Sequence, residues 1–515
     1  MPTRPIRFFH RGAIVEVEGL PPTTSVLAWL REHARCTGTK EGCNEGDCGA
    51  CTVIVGELAE VAGGADGNSV SGAAGGLRLR TVNACLQFLP MLDGKALLTV
   101  EDLQDIAGGA LHPAQQALVD CHGSQCGYCT PGFAVSLAAA YERHSAQGTR
   151  PSRQQLADAL AGNLCRCTGY RPILDAGQRM FELPPRRLDT APIVAALRTL
   201  GADAPLDCAA RHPATGGVER CVAPRSVEAL AAAYAAQPQA RLLAGATDVA
   251  LWVNKQGQTL PLLIHVGAVA ALRRIAERDG VLTIGAAAPL EDAWAALAER
   301  VPTLAEVGLR FASPPVRHAG TLGGNLANGS PIGDGAPVLM ALGASLVLRQ
   351  GGRQRRLALD DFYVDYRVNR LDPGEFIEAI EVPLPSATTA VRAYKLGKRH
   401  DSDISTVCAA FALTLAGDRV TDARFAYGGM AATVRRAAHA EAAVRGQPWL
   451  EASVRAAMAA LARDYTPLTD LRGSAAYRLR AAQNLLLRLW LQTRADDPLP
   501  AAATQVRVVP GWEPA

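Results

Sequence analysis

The sequence predicts a multidomain α+β protein, and three observations carry that prediction. The chain has 515 residues, of which 49% are hydrophobic, so it can bury several cores rather than one. Strand-rich, helix-rich and mixed segments follow one another along the chain, with no internal repeat. Ten of the 13 cysteines lie before residue 170, which sets the N-terminal third apart from the remainder.

Charge and hydropathy exclude two broad classes of protein. The chain carries 52 basic and 49 acidic residues, a net charge of +3, which is too balanced for a nucleic-acid or membrane surface. The N-terminus lacks the apolar core of a signal peptide, and no run of 18 apolar residues occurs. We therefore expect a cytoplasmic protein. Because structural disulfides are rare in that compartment, the cysteines indicate metal binding.

The first predicted domain consists of short strands around one helix. Ile6–Phe9 and Ala13–Val17 are predicted to pair, and Ser25–His33 is an amphipathic segment predicted to be helical. Six glycines between residues 63 and 76 predict a flexible loop between two hairpin strands. The predicted domain limits for the whole chain are 1–92, 93–180, a linker at 181–218, 219–385 and 386–500.

Four cysteines of the first domain have the spacing of a plant-type ferredoxin. Three of them share one glycine-rich loop, and the fourth follows after a long gap; they are Cys43, Cys48, Cys51 and Cys85. Glycines let such a loop wrap closely around a compact inorganic core and present backbone N–H groups to its sulfurs. The alternative is structural zinc, although zinc sites usually combine two short Cys-x2-Cys pairs.

A second group of four cysteines belongs to the helical segment 93–180. Thr130 and Pro131 are predicted to open a helix as N-cap and first helical residue, and Ser152 with Gln155 forms a capping-box pattern. One cysteine pair precedes the first helix and the other follows the second: Cys126, Cys129, Cys165 and Cys167. Antiparallel helices would bring these thiols together. Taken alone, this group could bind an iron–sulfur cluster or zinc.

Two glycine-containing motifs of the third domain are suited to phosphate binding. Leu242 to Asp248 is an apolar strand followed by a glycine turn, and Thr321 to Asn325 is followed by the segment from Ser330 to Asp334. Such turns can present N–H groups to a pyrophosphate. Neither motif is the G-x-G-x-x-G fingerprint, and similar turns occur in many proteins that bind no phosphate. The last domain is predicted to pair strands Val407–Leu415 and Val420–Tyr427 and to end in helices at 431–463 and 473–494.

The order of these motifs resembles the molybdenum hydroxylases, and among them the iron–sulfur/FAD subunit of two-subunit bacterial xanthine dehydrogenases. The resemblance extends over nearly the whole chain and is most specific at Gly123–Gly132, Asn163–Arg171 and Tyr427–Met430. It implies a β-grasp plant-type ferredoxin domain and an all-α four-helix [2Fe-2S] domain. An α+β FAD-binding domain like that of p-cresol methylhydroxylase and a C-terminal α/β sandwich domain would follow.

The resemblance also implies ligands for both clusters and contacts for FAD. The eight cysteines above match the ligands of two [2Fe-2S] clusters, and Gln125 matches a residue that contacts the partner's molybdopterin. The implied FAD-binding residues are Leu242, Leu243, Ala244, Gly245, Ala246, Thr247, Asp248, Val249, Phe311, Thr321, Leu322, Gly323, Gly324, Asn325, Ser330, Asp334, Ile377 and Lys395. Buried apolar positions are expected for the other cysteines, which are Cys36, Cys121, Cys208, Cys221 and Cys408.

The resemblance implies that the chain passes electrons to NAD+ from a partner subunit that oxidises hypoxanthine and xanthine to urate at a molybdenum cofactor. A dimer of heterodimers is implied as the assembly, and no catalytic residue is expected in this chain. An aldehyde or N-heterocycle hydroxylase with the same electron chain is the alternative, and a zinc-stabilised assembly protein is a non-enzymatic one. Three positions depart from the family pattern. His318 stands where many relatives have Asn, Ala246 replaces a polar residue, and the loop from Lys398 to Ile404 is less acidic, which leaves NAD+ or oxygen open as the acceptor.

Overall fold

The structure is a computed structural model that describes residues 3–59, 73–74 and 76–504. The glycine-rich loop predicted at 63–76 therefore lies largely outside the described residues. No helix within the described ranges is long and apolar enough to cross a membrane.

The N-terminal domain is a mixed sheet with one helix packed on it. Its elements are β1 (Ile6–His10), β2 (Ala13–Val17), α1 (Val26–Glu32), β3 (Thr52–Leu58), β4 (Ala73–Ala74), β5 (Leu77–Asn83) and β6 (Ala96–Leu98). The strand order is β2-β1-β6-β3-β5-β4, in which only the β1–β6 pair is parallel. Ser25 caps α1 by accepting from the Ala28 N–H, and Leu27 and Leu30 are buried. The predicted strand pair and helix are confirmed.

The second domain is helical. Its helices are α2 (Asp102–Ile106), α3 (Pro113–Asp120), α4 (Thr130–Gln147), α5 (Arg153–Ala159) and α6 (Arg171–Arg179). The capping box of Ser152 and Gln155 is present at the start of α5, as predicted. One detail of the prediction is wrong, because Cys129 is the N-cap of α4 and Thr130 is its first residue.

The structure corrects the interpretation of 181–218 as a linker with little pattern. This segment contains α7 (Ala191–Gly201) and β7 (Leu206–Arg211). Ile193, Leu197 and Leu200 lie on one face of α7 and pack into a core shared with the N-terminal sheet. Their spacing is helical, but surrounding prolines and alanines hide it in the sequence.

The third domain contains two larger sheets, a two-stranded ribbon and the helices that connect their strands. Its elements are β8 (Val218–Ala223), α8 (Val227–Ala236), β9 (Arg241–Leu243), α9 (Val249–Asn254), β10 (Leu262–His265), β11 (Ile275–Arg278), β12 (Val281–Gly285), α10 (Leu290–Arg300), α11 (Ala305–Leu309), α12 (Pro314–Ala319), α13 (Leu322–Ala327), α14 (Gly335–Ala341), β13 (Ser345–Gln350), β14 (Arg353–Ala358), β15 (Tyr363–Asp365), β16 (Val368–Asn369) and β17 (Phe376–Pro383). The first sheet has the order β7-β8-β10-β9, and the second has β11-β12-β17-β13-β14.

The C-terminal domain is an antiparallel sheet covered by helices. Its elements are β18 (Thr389–Leu396), β19 (Val407–Ala416), β20 (Arg419–Gly428), β21 (Arg435–Arg436), α15 (Ala438–Val444), α16 (Glu451–Asp464) and α17 (Ala475–Thr493). Successive side chains of β19 point to opposite faces. Phe411 and Leu413 pack under the domain's own helices, whereas Ala410 and Ala412 join the core of the third domain. The two predicted strands are confirmed.

Candidate functional site

The first cysteine group lies in the loop between α1 and β3, and Cys85 comes from the turn after β5. The sulfurs of Cys51 and Cys85 are 3.3 Å apart. The backbone N–H groups of Asp47 and Cys48 both donate to the Cys43 sulfur at 3.3 Å, and the Cys43 N–H donates to the Cys48 sulfur at 3.3 Å. The loop therefore folds around its own sulfurs, as a cluster-binding loop requires.

Hydrogen bonding favours a thiolate in this group. The Cys48 thiol, together with backbone N–H groups of Cys48, Glu45 and Asp47, holds the pKa of Cys43 well below its ordinary value in spite of burial. The Cys85 thiol likewise lowers the pKa of Cys51. The same contacts raise the pKa of Cys48 and of Cys85, so one sulfur of each pair is favoured as the thiolate, the form that ligates metal, and the other as its thiol donor.

The second cysteine group lies at one end of the helical domain, where α4 begins and the turn before α6 passes. Cys126 and Cys167 are exposed, and their side chains hydrogen-bond each other. Cys129 and Cys165 form the other hydrogen-bonded pair. Burial raises the pKa of Cys165, but hydrogen bonds from Thr168 outweigh it and leave the pKa lowered. The predicted convergence of all four thiols is observed.

Both groups fit a two-iron cluster in their donor set. Each supplies four thiols, which come together two and two, as they would on two irons. Within the described part of the chain, no set of three or more His, Cys, Asp or Glu side chains surrounds a single ion position. The pairwise approach of the sulfurs is the arrangement that each cluster would use.

The two cysteine groups are joined by direct contacts between their loops. The Leu164 N–H, next to Cys165, donates to the Cys48 carbonyl at 2.9 Å. The Asn163 amide donates to the Gly49 carbonyl and the Thr52 hydroxyl, both at 3.1 Å. A Cβ at Gly49 would lie 2.2 Å from the Gly162 carbonyl, so only glycine allows this approach. The two sites are therefore neighbours.

The predicted flavin segments also come together. The turn after β9 packs against the end of α12, since a Cβ at Gly245 would lie 1.8 Å from the Ala319 carbonyl oxygen. Thr321 caps α13 by accepting from the Gly324 N–H at 3.1 Å. Asn325 then lies against Gly333 and Gly335, just before and after Asp334. The three glycine-containing segments form one continuous surface.

The turn between β9 and α9 offers donors for a pyrophosphate. Among the described residues, none accepts a hydrogen bond from the backbone N–H of Gly245, Ala246, Thr247 or Asp248. By contrast, the N–H groups of Leu322, Gly323, Gly324 and Asn325 are all used within the fold. The first segment thus fits a phosphate group through its backbone, and the second holds that segment in place.

The remaining predicted flavin residues lie in two environments. Lys395 is buried and donates to Asp334 at 2.6 Å, and Ser405 donates to the other oxygen of that carboxylate at 2.6 Å. Phe311 and Ile377 are buried in the same core as Leu322, and the Phe311 ring lies 5.6 Å from that of Trp294. Leu243 is buried, whereas Leu242 and Val249 are half-buried. The FAD contacts of these residues stay a prediction.

Two residues that the sequence did not single out connect the flavin segment to the first cysteine group. Asn254, the last residue of α9, donates to the Cys85 carbonyl at 2.8 Å. Lys255, the next residue, donates to the Cys43 carbonyl at 2.5 Å. No spacing pattern in the sequence marks them, because Lys255 and its partner Cys43 are 212 positions apart in the chain. The first group therefore contacts both the second group and the flavin segment.

Of the cysteines outside both groups, Cys36, Cys208, Cys221 and Cys408 are buried as predicted, and Cys121 is half-buried against the helical core. His318 lies at the contact between the first and third domains, with its Nδ1 2.9 Å from the Thr81 carbonyl. Burial lowers the pKa of His318 to about 4.

Comparison with known domain families agrees with this organisation. Four family models match, together covering most of the chain. They are the 2Fe-2S iron-sulfur cluster binding domain at 8–86, the [2Fe-2S] binding domain at 99–178, the FAD binding domain in molybdopterin dehydrogenase at 216–385 and the CO dehydrogenase flavoprotein C-terminal domain at 392–493. The predicted fold class is confirmed, and the domain types are those that bind two [2Fe-2S] clusters and FAD.

Individual relatives give the same result. Xanthine dehydrogenase of Emericella nidulans is 29% identical over 96% of this chain, and aldehyde oxidase 2 of Cavia porcellus is 30% identical over 94%. The chain spans only 39% of the length of each of these curated relatives. A solved chain of carbon monoxide dehydrogenase from Hydrogenophaga pseudoflava is 30% identical, with a TM-score of 0.50 over 52% of this chain and 94% of that one.

Proposed function

Because this chain belongs to the molybdenum hydroxylase family, as its iron–sulfur and flavin portion, we propose that it is the electron-transfer subunit of a xanthine dehydrogenase. The partner subunit would oxidise hypoxanthine and xanthine to urate at a molybdenum cofactor. This chain would carry the electrons through the sites of its two cysteine groups to FAD and then to NAD+.

The observation that carries this proposal is the central position of the first cysteine group. On one side, its loop accepts a hydrogen bond from Leu164, beside Cys165 of the second group. On the other side, Asn254 and Lys255 contact it from the helix that follows the flavin segment. A linear order of second group, first group and flavin site follows, and short steps between neighbouring sites suit electron transfer.

The cofactors would divide the chemistry: iron–sulfur clusters pass single electrons, and flavin converts these into the two-electron transfer that a nicotinamide requires. This chain's residues hold and insulate the sites. Backbone N–H groups donate hydrogen bonds to the Cys43 and Cys48 sulfurs. The buried ion pair of Lys395 and Asp334 holds the predicted flavin segment that ends at Asp334. Hydrogen bonds to the ligand sulfurs and burial of the site tune the reduction potential of an iron–sulfur cluster.

The exposed end of the second group supports docking of a molybdenum partner. Cys126, Cys167 and Gln125 are exposed, so electrons can enter here from another chain. Exposed apolar side chains surround the cysteines: Tyr128, Leu164 and Tyr170. Tyrosine side chains such as those of Tyr128 and Tyr170 are typical anchors of protein interfaces. We include the dimer of heterodimers in the proposal as the assembly.

The choice of NAD+ as the acceptor is supported by a cavity at the C-terminal domain. The cavity has a volume of about 320 Å³ and lies beside the loop that begins at Gly397. Its lining includes Lys398, Arg472 and Tyr477. Asp470 also lines the cavity and pairs with the buried Arg478 at 2.7 Å, and the two cations and the aromatic ring are suited to phosphate and base, the parts of a dinucleotide.

A second candidate is an aldehyde or N-heterocycle hydroxylase with the same electron chain. The similarity to aldehyde oxidase 2 favours it as much as the similarity to xanthine dehydrogenase favours the first. Co-purification of the complex, followed by assays with xanthine, aldehydes and N-heterocycles, distinguishes them. Xanthine-dependent NADH formation supports our proposal, whereas turnover of aldehydes alone contradicts it. A colourless protein containing zinc would contradict both candidates.

A further inference from the structure

A positively charged side chain of the third domain contacts the first cysteine group. We propose that Lys255, which lies at the end of the flavin-side helix, raises the reduction potential of the cluster held by Cys43, Cys48, Cys51 and Cys85. Lys255 would thus act through the Cys43 backbone as a positioning and tuning residue. The inference deepens the proposed function and rests on it.

The contact is specific in its geometry. The Lys255 ammonium donates to the carbonyl of the ligand residue Cys43 at 2.5 Å, although its side chain remains 41% exposed. One residue earlier, the Asn254 amide donates to the Cys85 carbonyl at 2.8 Å and to the Asn44 carbonyl at 3.4 Å. The end of α9 therefore contacts both parts of the ligand set, which holds the ammonium at a fixed place.

A cation at this place favours the reduced cluster. A cluster gains one negative charge on reduction, and that charge is attracted to a nearby ammonium. Hydrogen bonds and charges around the ligands are the means by which proteins set such potentials. The half-exposed position of Lys255 reduces the effect through solvent screening but does not remove it, because the ammonium contacts the ligand residue directly.

The negative charge of Glu45 partly offsets the positive charge of Lys255, which allows a second test of the same inference. Its carboxylate lies 3.7 Å from the Lys255 ammonium and two positions after Cys43. Removing the carboxylate leaves the cation uncompensated. The two side chains should therefore shift the potential in opposite directions, which a general loosening of the loop would not produce.

Lys255 affects two one-electron steps, from the second cluster site to the first and from the first cluster site to the flavin site. No covalent bond is formed or broken in these steps. A higher potential makes this site a better acceptor for electrons that arrive from the second group. The charge comes from the flavin-binding domain, so the tuned potential exists only when the first and third domains are docked.

The test is an EPR-monitored redox titration of the full chain. Lys255→Met, Lys255→Arg, Glu45→Gln and the charge control Arg278→Met are each made in a Cys167→Ser background, so that the remaining iron–sulfur signal belongs to the first group. Arg278 is 91% exposed at its side chain and pairs only with its neighbour Asp279 among the contacts described, so it matches the change in net charge alone.

We expect Lys255→Met to reduce the ratio of reduced to oxidised cluster at a fixed potential by about three- to tenfold, the upper value corresponding to about 59 mV. Glu45→Gln should raise this ratio, whereas Lys255→Arg and Arg278→Met should leave it within twofold. A loaded Lys255→Met protein with an unchanged ratio overturns the inference. If Lys255→Met protein binds no cluster, the Glu45→Gln variant provides the test. A ratio of reduced to oxidised cluster that does not increase in Glu45→Gln then overturns the inference. A parent protein without any iron–sulfur signal contradicts the proposed function itself.

Discussion

The two cysteine groups use the same number of thiols in contrasting surroundings. In the first group, Cys51 and Cys85 are buried, and the loop is held by neighbours from two other domains. In the second group, Cys126 and Cys167 are exposed at the end of a helical domain. A buried site between domains suits transfer within the chain, and an exposed site suits exchange with a partner. Position, rather than ligand type, separates their roles.

The largest expected effect comes from replacing one cysteine in each group. Cys85→Ser should remove the first cluster and stop reduction of the flavin by electrons that enter at the second group. Cys167→Ser should remove only the second cluster and leave FAD bound, because Cys167 is exposed at the end of the helical domain. Iron and flavin content per chain, with visible spectra, measure both results. Loss of all cofactors in Cys167→Ser would show that the domains do not load independently.

Glu57 tests the docking of the first domain to the flavin domain. Its carboxylate lies 2.7 Å from the ammonium of Lys95 in its own domain and 2.6 Å from the guanidinium of Arg273 in the third domain. Burial raises its pKa, but the two cations outweigh this and hold the pKa well below the ordinary value. Glu57→Gln removes the carboxylate that both cations contact and should cost about 3 kcal/mol of unfolding free energy.

Chemical denaturation followed by flavin release provides the measurement for Glu57→Gln. Glu16→Gln is the matched control, because Glu16 pairs with Arg7 at 3.0 Å but is 58% exposed. We expect that control to cost less than about 1 kcal/mol. Equal effects of the two variants would contradict a special role of Glu57 at the domain contact.

Asn163 tests the opposite contact, between the two cysteine groups. Its amide donates to Gly49 and Thr52, and its carbonyl oxygen accepts from the Ser136 hydroxyl at 2.7 Å. Asn163→Ala removes three hydrogen bonds between buried groups, although the Thr52 hydroxyl still donates to the Gly49 carbonyl, and should cost about 2 kcal/mol. Thermal unfolding measures the loss. The half-buried Gln116, whose side chain bonds only Asp120 within helix α3 among the described contacts, is the control and should change little as Gln116→Ala.

His318 makes the contact of the first and third domains sensitive to acid. Burial lowers its pKa to about 4, with Arg80 and Arg317 adding to this and Glu291 opposing it. An unfolded histidine titrates near 6.5, so the unfolded chain binds more protons between pH 6.5 and about 4. Stability therefore falls as the pH decreases through this window, by up to about 1.4 kcal/mol per pH unit from this residue.

His318→Asn should remove that contribution and flatten the dependence of unfolding free energy on pH between about 6.5 and 4. Denaturation curves at several pH values measure it, and the exposed His33→Asn serves as control. An unchanged slope in His318→Asn would mean that other buried histidines, such as His265, dominate the acid response.

The smallest expected effect lies in the flavin segment. Ala246 is buried and has a φ of 60°, a left-handed conformation that is unfavourable for residues with a Cβ. Ala246→Gly should therefore stabilise the protein by about 1 kcal/mol, while Ala244→Gly, at a position without positive φ, should destabilise it. Thermal midpoints measure both changes. A loss of stability in Ala246→Gly would show that the Ala246 methyl packing outweighs the backbone strain.

Short patterns in the sequence were enough to predict the cysteine groups, several helix starts and the strands of the last domain. Cysteine spacing identified both groups, Ser25 and the pair Ser152 and Gln155 marked helix starts, and a strand-like apolar run that ends before Gly417 marked β19, because each of these depends only on residues close in the chain. Glycine-containing turns located the flavin segments for the same reason. The helix within 181–218 was missed although its signal is local, since three apolar positions among prolines and alanines form a weak pattern.

The contacts between domains could not be predicted from local patterns in the sequence. The contacts of Lys255 with Cys43, of Asn163 with Gly49 and of Glu57 with Arg273 join residues 212, 114 and 216 positions apart. Their formation depends on how whole domains pack, which no short pattern in the sequence encodes. The cysteines show that electrons can be held at two places. Domain packing sets the order of those places, because it puts one group between its neighbours and leaves the other at the surface.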